Sequence, residues 1–270
     1  RAAYGETGNQ PLFGQKFTNL NTPQFGSANG FTVAAAAGAP GVEPERLKEI
    51  EAGFDANIFG NRAQLEFTYY NRNTTNLLLQ RVPAPSSGFT SEVFNGGKVR
   101  NQGVEIGLGV TPVQGRDLQV VTRGTFTLNR NEVIELPVAP FRPPLSGFGG
   151  LGVTFVEVGQ PMTQIIGFDL DENGNRTATQ VRLGNSAPDF RVGFTSDVTW
   201  KALNMSMVWD WQQGGTVVNL TQFLYDDAKN AHDFGSEAYL ARTGAIGKGS
   251  IRGYIEDATF LRLREARIGV

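Results

Sequence analysis

The stretch EAGFDANIFGNRAQLEFTYYN, residues 51–71, decides the fold because it alternates twice around a turn signal. Apolar and polar residues take turns along 51–58 and again along 63–70. A period of two is typical of a strand with two unlike faces, and Gly60-Asn61 is a two-residue hairpin signal. The sequence therefore predicts a β-hairpin with one apolar and one polar face.

The turn also predicts the register of this hairpin. If Phe59 and Arg62 flank it, Phe54 lies opposite Phe67 on the apolar face, and a slip of one residue would mix the two faces. On the other face Asp55 lies opposite Glu66, a like-charge pair that is tolerable in water or beside a cation. We therefore expect the polar face to contact water.

Two more hairpins follow the same pattern. One alternates along 103–111 and 118–128 around a predicted turn at 112–117. The other alternates along 190–200 and 203–212 around a turn near Lys201 and Ala202. The sequence thus predicts an antiparallel series of strands joined by short turns.

The two ends of the chain add weaker strand signals. A strand end is predicted at residues 1–4, and a last strand is predicted from about Gly253 to the end of the sequence. In that last strand the alternation puts Leu261 and Leu263 on one face and Ala266, Ile268 and Val270 on the other. A β-bulge near Arg264 is expected, because one extra residue changes the parity.

Composition excludes several classes of protein. The net charge of −2 does not suggest a nucleic-acid partner, and the absence of cysteine excludes disulfides and a thiol nucleophile. The 34 glycines favour many turns. No apolar run approaches the ~18 residues of a transmembrane helix, which leaves a membrane β-barrel as an open possibility.

Three features favour a membrane barrel over a soluble sandwich. Segments 47–59 and 99–111 are longer than an ordinary strand and long enough for a tilted span. Trp200, Trp209 and Trp211 lie near strand ends, as in an aromatic girdle. Long Gly- and Pro-rich segments at about 73–98, 130–188 and 214–252 alternate with the short turns, as extracellular loops alternate with periplasmic turns.

Five segments, in this order, resemble the SusC/RagA-type TonB-dependent outer-membrane transporters: PERLKEIEAGFDANIFGNRAQLEFTYYNRNTTNLLL, FNGGKVRNQGVEIGL, VGQPMTQIIGFDLDENG, LGNSAPDFRVGF and YIEDATFLRLREARIGV. The resemblance implies an all-β, antiparallel transmembrane barrel of about 22 strands with a plug inside. This chain would supply about seven or eight strands. We expect residues 1–270 to be a single barrel segment, without the plug and the terminal strands.

The resemblance also implies a function. It implies import of a large nutrient, an oligosaccharide or a peptide, across the bacterial outer membrane, with energy from the TonB complex acting on the plug. A SusD-like lipoprotein would cover the extracellular loops. Two alternatives stay open: a surface adhesion or assembly component anchored in the outer membrane, and a soluble β-rich carbohydrate-binding module.

No catalytic residues and no cofactor are predicted, and the chain is not expected to be an enzyme. Loop aromatics are the candidates for solute contact, namely Phe89, Phe94, Phe148 and Tyr225. Polar-face residues expected to line the lumen or meet the plug are Arg62, Glu66, Glu105, Arg123, Arg191 and Asp210.

Two further motifs have a functional and a structural interpretation. Asp169, Asp171 and Asn173 have the spacing of the start of a calcium loop, but Gln180 stands where a bidentate glutamate is wanted. A turn is favoured there because Asn173-Gly174 is a hairpin signal, with calcium as the alternative. The glycines of 147–152 formally match a dinucleotide motif, but without the strand and helix that it needs we predict a loop.

Overall fold

The computed structural model describes residues 1–143 and 153–270, and these form one large antiparallel sheet. We number its eight strands in chain order, which is also their order in the sheet. They are β1 (Ala2–Asn9), β2 (Glu45–Ile58), β3 (Ala63–Thr75), β4 (Lys98–Gln114), β5 (Leu118–Glu135), β6 (Phe190–Trp200), β7 (Leu203–Gln213) and β8 (Phe260–Gly269). Each strand pairs with the one before it, as in an up-and-down barrel wall.

The β2–β3 hairpin confirms the predicted register. Phe54 pairs with Phe67, and Asp55 pairs with Glu66. At the turn Gly60 has φ 63° and Asn61 has φ 68°, which is the left-handed region that a tight hairpin requires. The rings of Phe54 and Phe67 stack with centroids 5.6 Å apart.

The turn of the β4–β5 hairpin was predicted too long. Instead of a turn at 112–117, β4 continues to Gln114, and only 115–117 connect the strands. The register shifts between Val110 and Val113, around Pro112. Such a bulge accommodates a proline, which has no N–H to donate, without ending the strand.

The β6–β7 hairpin is as predicted. Trp200 pairs with Leu203, and Lys201 in the turn has φ 54°. Trp209 pairs with Phe194, so the tryptophans of β7 share the face of the apolar side chains of β6.

The last strand begins later than predicted but has the predicted bulge. Residues Arg252–Tyr254 form a 3₁₀ turn instead, and β8 begins at Phe260. Val208 pairs with Glu265 and Trp209 with Leu263, which leaves Arg264 as the extra residue. Because of this bulge Ala266 and Ile268 return to the face of Leu261 and Leu263, so the expectation of opposite faces was wrong.

The long connections contain secondary structure that the sequence did not predict. Two helices, α1 (Leu220–Asp227) and α2 (Glu237–Gly247), lie in the β7–β8 connection, with Asn219 and Ser236 as side-chain N-caps. A 3₁₀ turn forms at Pro85–Ser87. Short strands are Leu20–Asn21, Gln24–Phe25, Ala28–Asn29, Thr32–Val33, Ala36–Ala37, Leu78–Arg81, Ser91–Asn95, Val153–Thr154, Gln164–Gly167, Val181–Asn185, Thr216–Val218 and Ile255–Asp257.

The described connections are of two kinds. Short turns lie at one end of the sheet, and long segments lie at the other. The parts of two long connections at residues 153–189 and 214–259 pack together, and we call them the cap. Ile165, Leu183 and Ile251 form a buried apolar cluster within it. A second cluster joins Val156 of the cap to Val99 and Val133 at the ends of β4 and β5.

No helix in the described ranges has the length and hydropathy of a membrane span.

One face of the sheet exposes a continuous apolar surface. Phe54 is 50% exposed, Phe194 41% and Met207 37%. The described residues place no second sheet against these side chains, so the sandwich alternative does not describe this fold.

Candidate functional site

The opposite face of the sheet carries polar side chains and is the candidate site. It forms an open cleft of about 480 Å³ on β1–β5, toward the end with the long connections. Its lining includes Glu49, Glu51, Tyr70, Arg72 and Glu105. A polar cleft of this kind offers several hydrogen-bonding groups to a molecule that lies against the wall.

Hydrogen bonds fix most of these side chains. The Arg72 guanidinium donates to both carboxylate oxygens of Glu49, at 3.1 and 2.9 Å. The Tyr70 hydroxyl donates to Oδ1 of Asn129, 3.0 Å away and two strands further on. The cleft is therefore held in one arrangement before anything binds.

A glycine makes the position of Tyr70 possible. Gly103 lies directly opposite Tyr70, and a Cβ there would be 2.5 Å from the tyrosine Oη. The same Cβ would be 2.2 Å from the Leu128 carbonyl oxygen. The ring thus crosses β4 over a residue that has no side chain. Sequence reasoning missed Tyr70 and Gly103, because a long connection and not a hairpin turn joins β3 to β4, and their register could not be predicted from a turn.

The predicted polar residues fall mainly where they were expected. Register places Glu66, Glu105 and Arg123 on the polar face, together with Arg191 and Asp210. They spread over five strands, β3 to β7, and do not form one compact site. Arg62 lies in the turn after β2, at the end remote from the cleft.

The predicted aromatic residues do not come together. Phe94 lies in the strand Ser91–Asn95, where it packs edge-on against Phe141 with ring centroids 5.7 Å apart. Phe89 is half-buried, and Tyr225 is 53% exposed on α1. Phe148 and the glycines of 147–152 lie outside the described residues. Solute contact by any of these aromatics stays a prediction.

The segment with calcium-like spacing forms a tight turn. Oδ1 of Asp171 accepts hydrogen bonds from the backbone N–H groups of Asn173 and Asn175, at 2.9 and 2.8 Å. Oδ2 of Asp169 accepts two from Arg252, at 2.8 and 2.5 Å. Those bonds from Arg252 hold the pKa of Asp169 below its ordinary value. Both carboxylates thus accept hydrogen bonds from other groups of the chain. This geometry does not support calcium binding, which stays an alternative.

A buried ionic network organises the cap, and no sequence motif predicted it. The carboxylate of Asp226, on a residue only 2% exposed, accepts bonds from Arg242 at 2.8 and 3.1 Å. Gln222 and Tyr254 donate to the same carboxylate, at 2.8 and 3.1 Å. Arg242 also pairs with Asp233, so one guanidinium joins both helices and the segment between them.

The protonation states in this network follow from its contacts. The hydrogen bonds from Arg242 hold the pKa of the Asp226 carboxyl below its usual range. Burial, and then the bond to Asp226, raises the pKa of Tyr254 to about 12. Asp226 is therefore an anion and Tyr254 a neutral donor at neutral pH.

Comparison with known proteins identifies the sheet. Residues 1–255 match the family described as TonB dependent receptor-like, beta-barrel. The chain belongs to this family. The predicted resemblance is thereby confirmed, and the sheet is part of a TonB-dependent receptor barrel.

Individual relatives agree with the family. TonB-dependent receptor P3 of Formosa agariphila is 26% identical over 263 residues, which cover 82% of this chain and 26% of that protein. TonB-dependent receptor P26 of the same organism is 26% identical over 320 residues, covering 99% of this chain and 32% of that protein. The chain thus spans between a quarter and a third of these relatives.

A solved structure shows the same fold. The structure of the RagAB peptide transporter superposes with a TM-score of 0.76 at 21% identity, covering 99% of this chain and 34% of that chain. The RagAB peptide importer in its closed-closed state gives a TM-score of 0.74. At this identity the likeness concerns the arrangement of the strands.

Proposed function

We propose that the chain forms part of the wall of a transporter in the bacterial outer membrane, which imports a large nutrient. The observation that carries this proposal is the two-faced sheet. Its apolar face is exposed along long strands, and its polar face is built from charged and amide side chains. In a membrane barrel the first face contacts lipid and the second encloses water.

The ends of the sheet support the same orientation. In outer-membrane barrels short turns face the periplasm, and long loops face the exterior. The cap therefore lies outside the cell, where a SusD-like lipoprotein would cover it. Energy for import would come from the TonB complex. The solute would be an oligosaccharide or a peptide, and the structurally similar RagAB is a peptide transporter.

Adjacent residues of β2 test which face contacts lipid. Phe54→Lys places a charge on the proposed lipid face, where it costs roughly 2–4 kcal/mol near the bilayer centre. Asp55→Lys makes a similar change on the other face and is the matched control. In the full-length receptor folded into vesicles, the folded fraction on gels should fall for Phe54→Lys and stay near wild type for Asp55→Lys. The reverse result would contradict the assignment.

Import itself is tested in cells that express the full-length receptor with its lipoprotein partner. Uptake of fluorescent peptides and oligosaccharides should need both the receptor and TonB. Cell-surface attachment without TonB-dependent uptake would favour the adhesion alternative and overturn the proposal.

A further inference from the structure

The cap is built from two connections that are separated in the chain by a hairpin. Residues 153–189 lead into β6, and residues 214–259 lead from β7 to β8. The β6–β7 hairpin lies between them, and its short turn is at the opposite end of the sheet. Contacts between the two connections therefore form a bridge across the open end of this hairpin.

Apolar side chains make the first part of this bridge. Ile165 and Leu183 come from the first connection and Ile251 from the second, and each is at most 8% exposed. Partly buried side chains from both connections pack around them, namely Val181, Val218, Leu220, Phe223, Ile246 and Ile255. Each connection thus supplies apolar partners that the other buries.

Hydrogen bonds make the second part. The Arg252 guanidinium donates to Oδ2 of Asp169 at 2.8 Å and to the Leu183 carbonyl oxygen at 3.1 Å. The Thr216 hydroxyl accepts from the Asn185 backbone N–H at 3.0 Å. Every one of these bonds joins the first connection to the second. We call these bonds and the apolar cluster together the clasp.

A glycine lets the two connections approach closely. A Cβ on Gly184 would be 2.4 Å from Oγ1 of Thr216 and 2.7 Å from its Cβ. Gly184 does not have a positive φ, so its backbone angles do not require glycine. Glycine inside a strand often marks the close approach of another segment, and here that segment begins at Thr216.

The topology determines when the clasp can form. Long connections of an outer-membrane barrel lie outside the cell. Irregular backbone is not stable in the bilayer core, because its N–H and C=O groups find no partners there. Both connections must therefore have crossed, and the strands that flank them must have inserted, before the contacts between them can form.

We propose that the clasp closes after β5–β8 have inserted and then slows their unfolding. The inference rests on the proposed function, because it requires both connections to cross the membrane. Contacts that are absent from the folding transition state stabilise a protein by lowering its unfolding rate, and they leave its folding rate unchanged. The clasp is thus a device for kinetic stability, built into the outer end of the wall.

The test measures folding and unfolding rates separately, for the full-length receptor in phospholipid vesicles. The folded band on gels is followed after dilution from urea and after transfer into guanidinium. Gly184→Ala forces the two connections apart. Gly244→Ala is the matched control, because a Cβ at that position of α2 would meet no neighbour within 4 Å.

A charge exchange tests the clasp in a second way. Arg252→Asp places a carboxylate against Asp169, whereas Arg252→Asp combined with Asp169→Arg restores opposite charges across the two connections. The charge exchange decides the same question if Gly184→Ala yields no folded receptor.

Gly184→Ala should raise the unfolding rate about tenfold and leave the folding rate within about twofold of wild type. Gly244→Ala should not raise the unfolding rate. Arg252→Asp should raise it about threefold, and the double variant should return it toward the wild-type value.

Unchanged unfolding rates in Gly184→Ala and Arg252→Asp would overturn the inference. Slower folding with an unchanged unfolding rate would also overturn it, because the clasp would then form before the strands insert. These failures are distinct from failure of the proposed function, which would appear as a wild-type receptor that reaches its native form in buffer without vesicles.

Discussion

The sheet and the cap are stabilised in different ways. In the sheet neighbouring strands pair in sequence order, and both faces carry exposed side chains. In the cap, segments far apart in sequence pack around Ile165, Leu183 and Ile251 and around the buried carboxylate of Asp226. The cap therefore has a small core of its own, while the sheet depends on what lies against its two faces.

The two regions differ in how their segments are joined. Neighbouring strands of the sheet pair along continuous backbone ladders, whereas the cap is joined by side-chain bonds such as that from Arg252 to Asp169. Loss of one buried contact should thus loosen the cap as a unit without changing the strand register.

The largest effect is expected from Asp226→Ala. It leaves the Arg242 guanidinium without its buried partner, and removing one member of a buried pair costs roughly 3–5 kcal/mol. Hydrogen exchange in the full-length receptor should show faster exchange over α1 and α2. The amides of β6 and β7 should keep their protection.

Asp227→Ala is the matched control, because its carboxylate is on the next residue and is exposed. It should leave the exchange of both helices unchanged. Equal loss of protection in cap and sheet after Asp226→Ala would show that the two regions unfold together. It would contradict the claim that the cap can loosen while the sheet keeps its pairing.

An intermediate effect is expected within the sheet from Gly103→Ala. The new Cβ would meet the Leu128 carbonyl oxygen and the Tyr70 hydroxyl, and such overpacking costs roughly 1–3 kcal/mol. Gly109→Ala is the comparison, because its nearest neighbour, Cβ of Gln64, is 3.9 Å away. Urea unfolding of the receptor should show a lower midpoint for Gly103→Ala only. Similar midpoints for both variants would mean that Tyr70 moves freely off β4.

The predictable part of the fold is the part with short-range order. The alternation of apolar and polar residues predicted the pairing of Phe54 with Phe67. The change of parity at Ala266 predicted the bulge at Arg264. The helices were missed because α1 and α2 lie in a Gly-rich segment without a clear apolar stripe, and their packing depends on distant partners such as Ile165. At the site the charged residues were predicted, but Tyr70 was not, since its position depends on a contact with Gly103.

The smallest effect is expected from Arg264→Ala at the bulge. Arg264 donates to Oδ2 of Asp210 at 3.0 and 2.5 Å, but both side chains are partly exposed, and such pairs contribute about 1 kcal/mol at most. The bulge itself is a backbone feature, set by the need to return Ile268 to the face of Met205. The urea midpoint should therefore change little, and exchange along β8 should keep its pattern. A change in which β8 amides are protected would show that the ion pair holds the register. The edge of the sheet would then depend on a single ion pair, as the cap does.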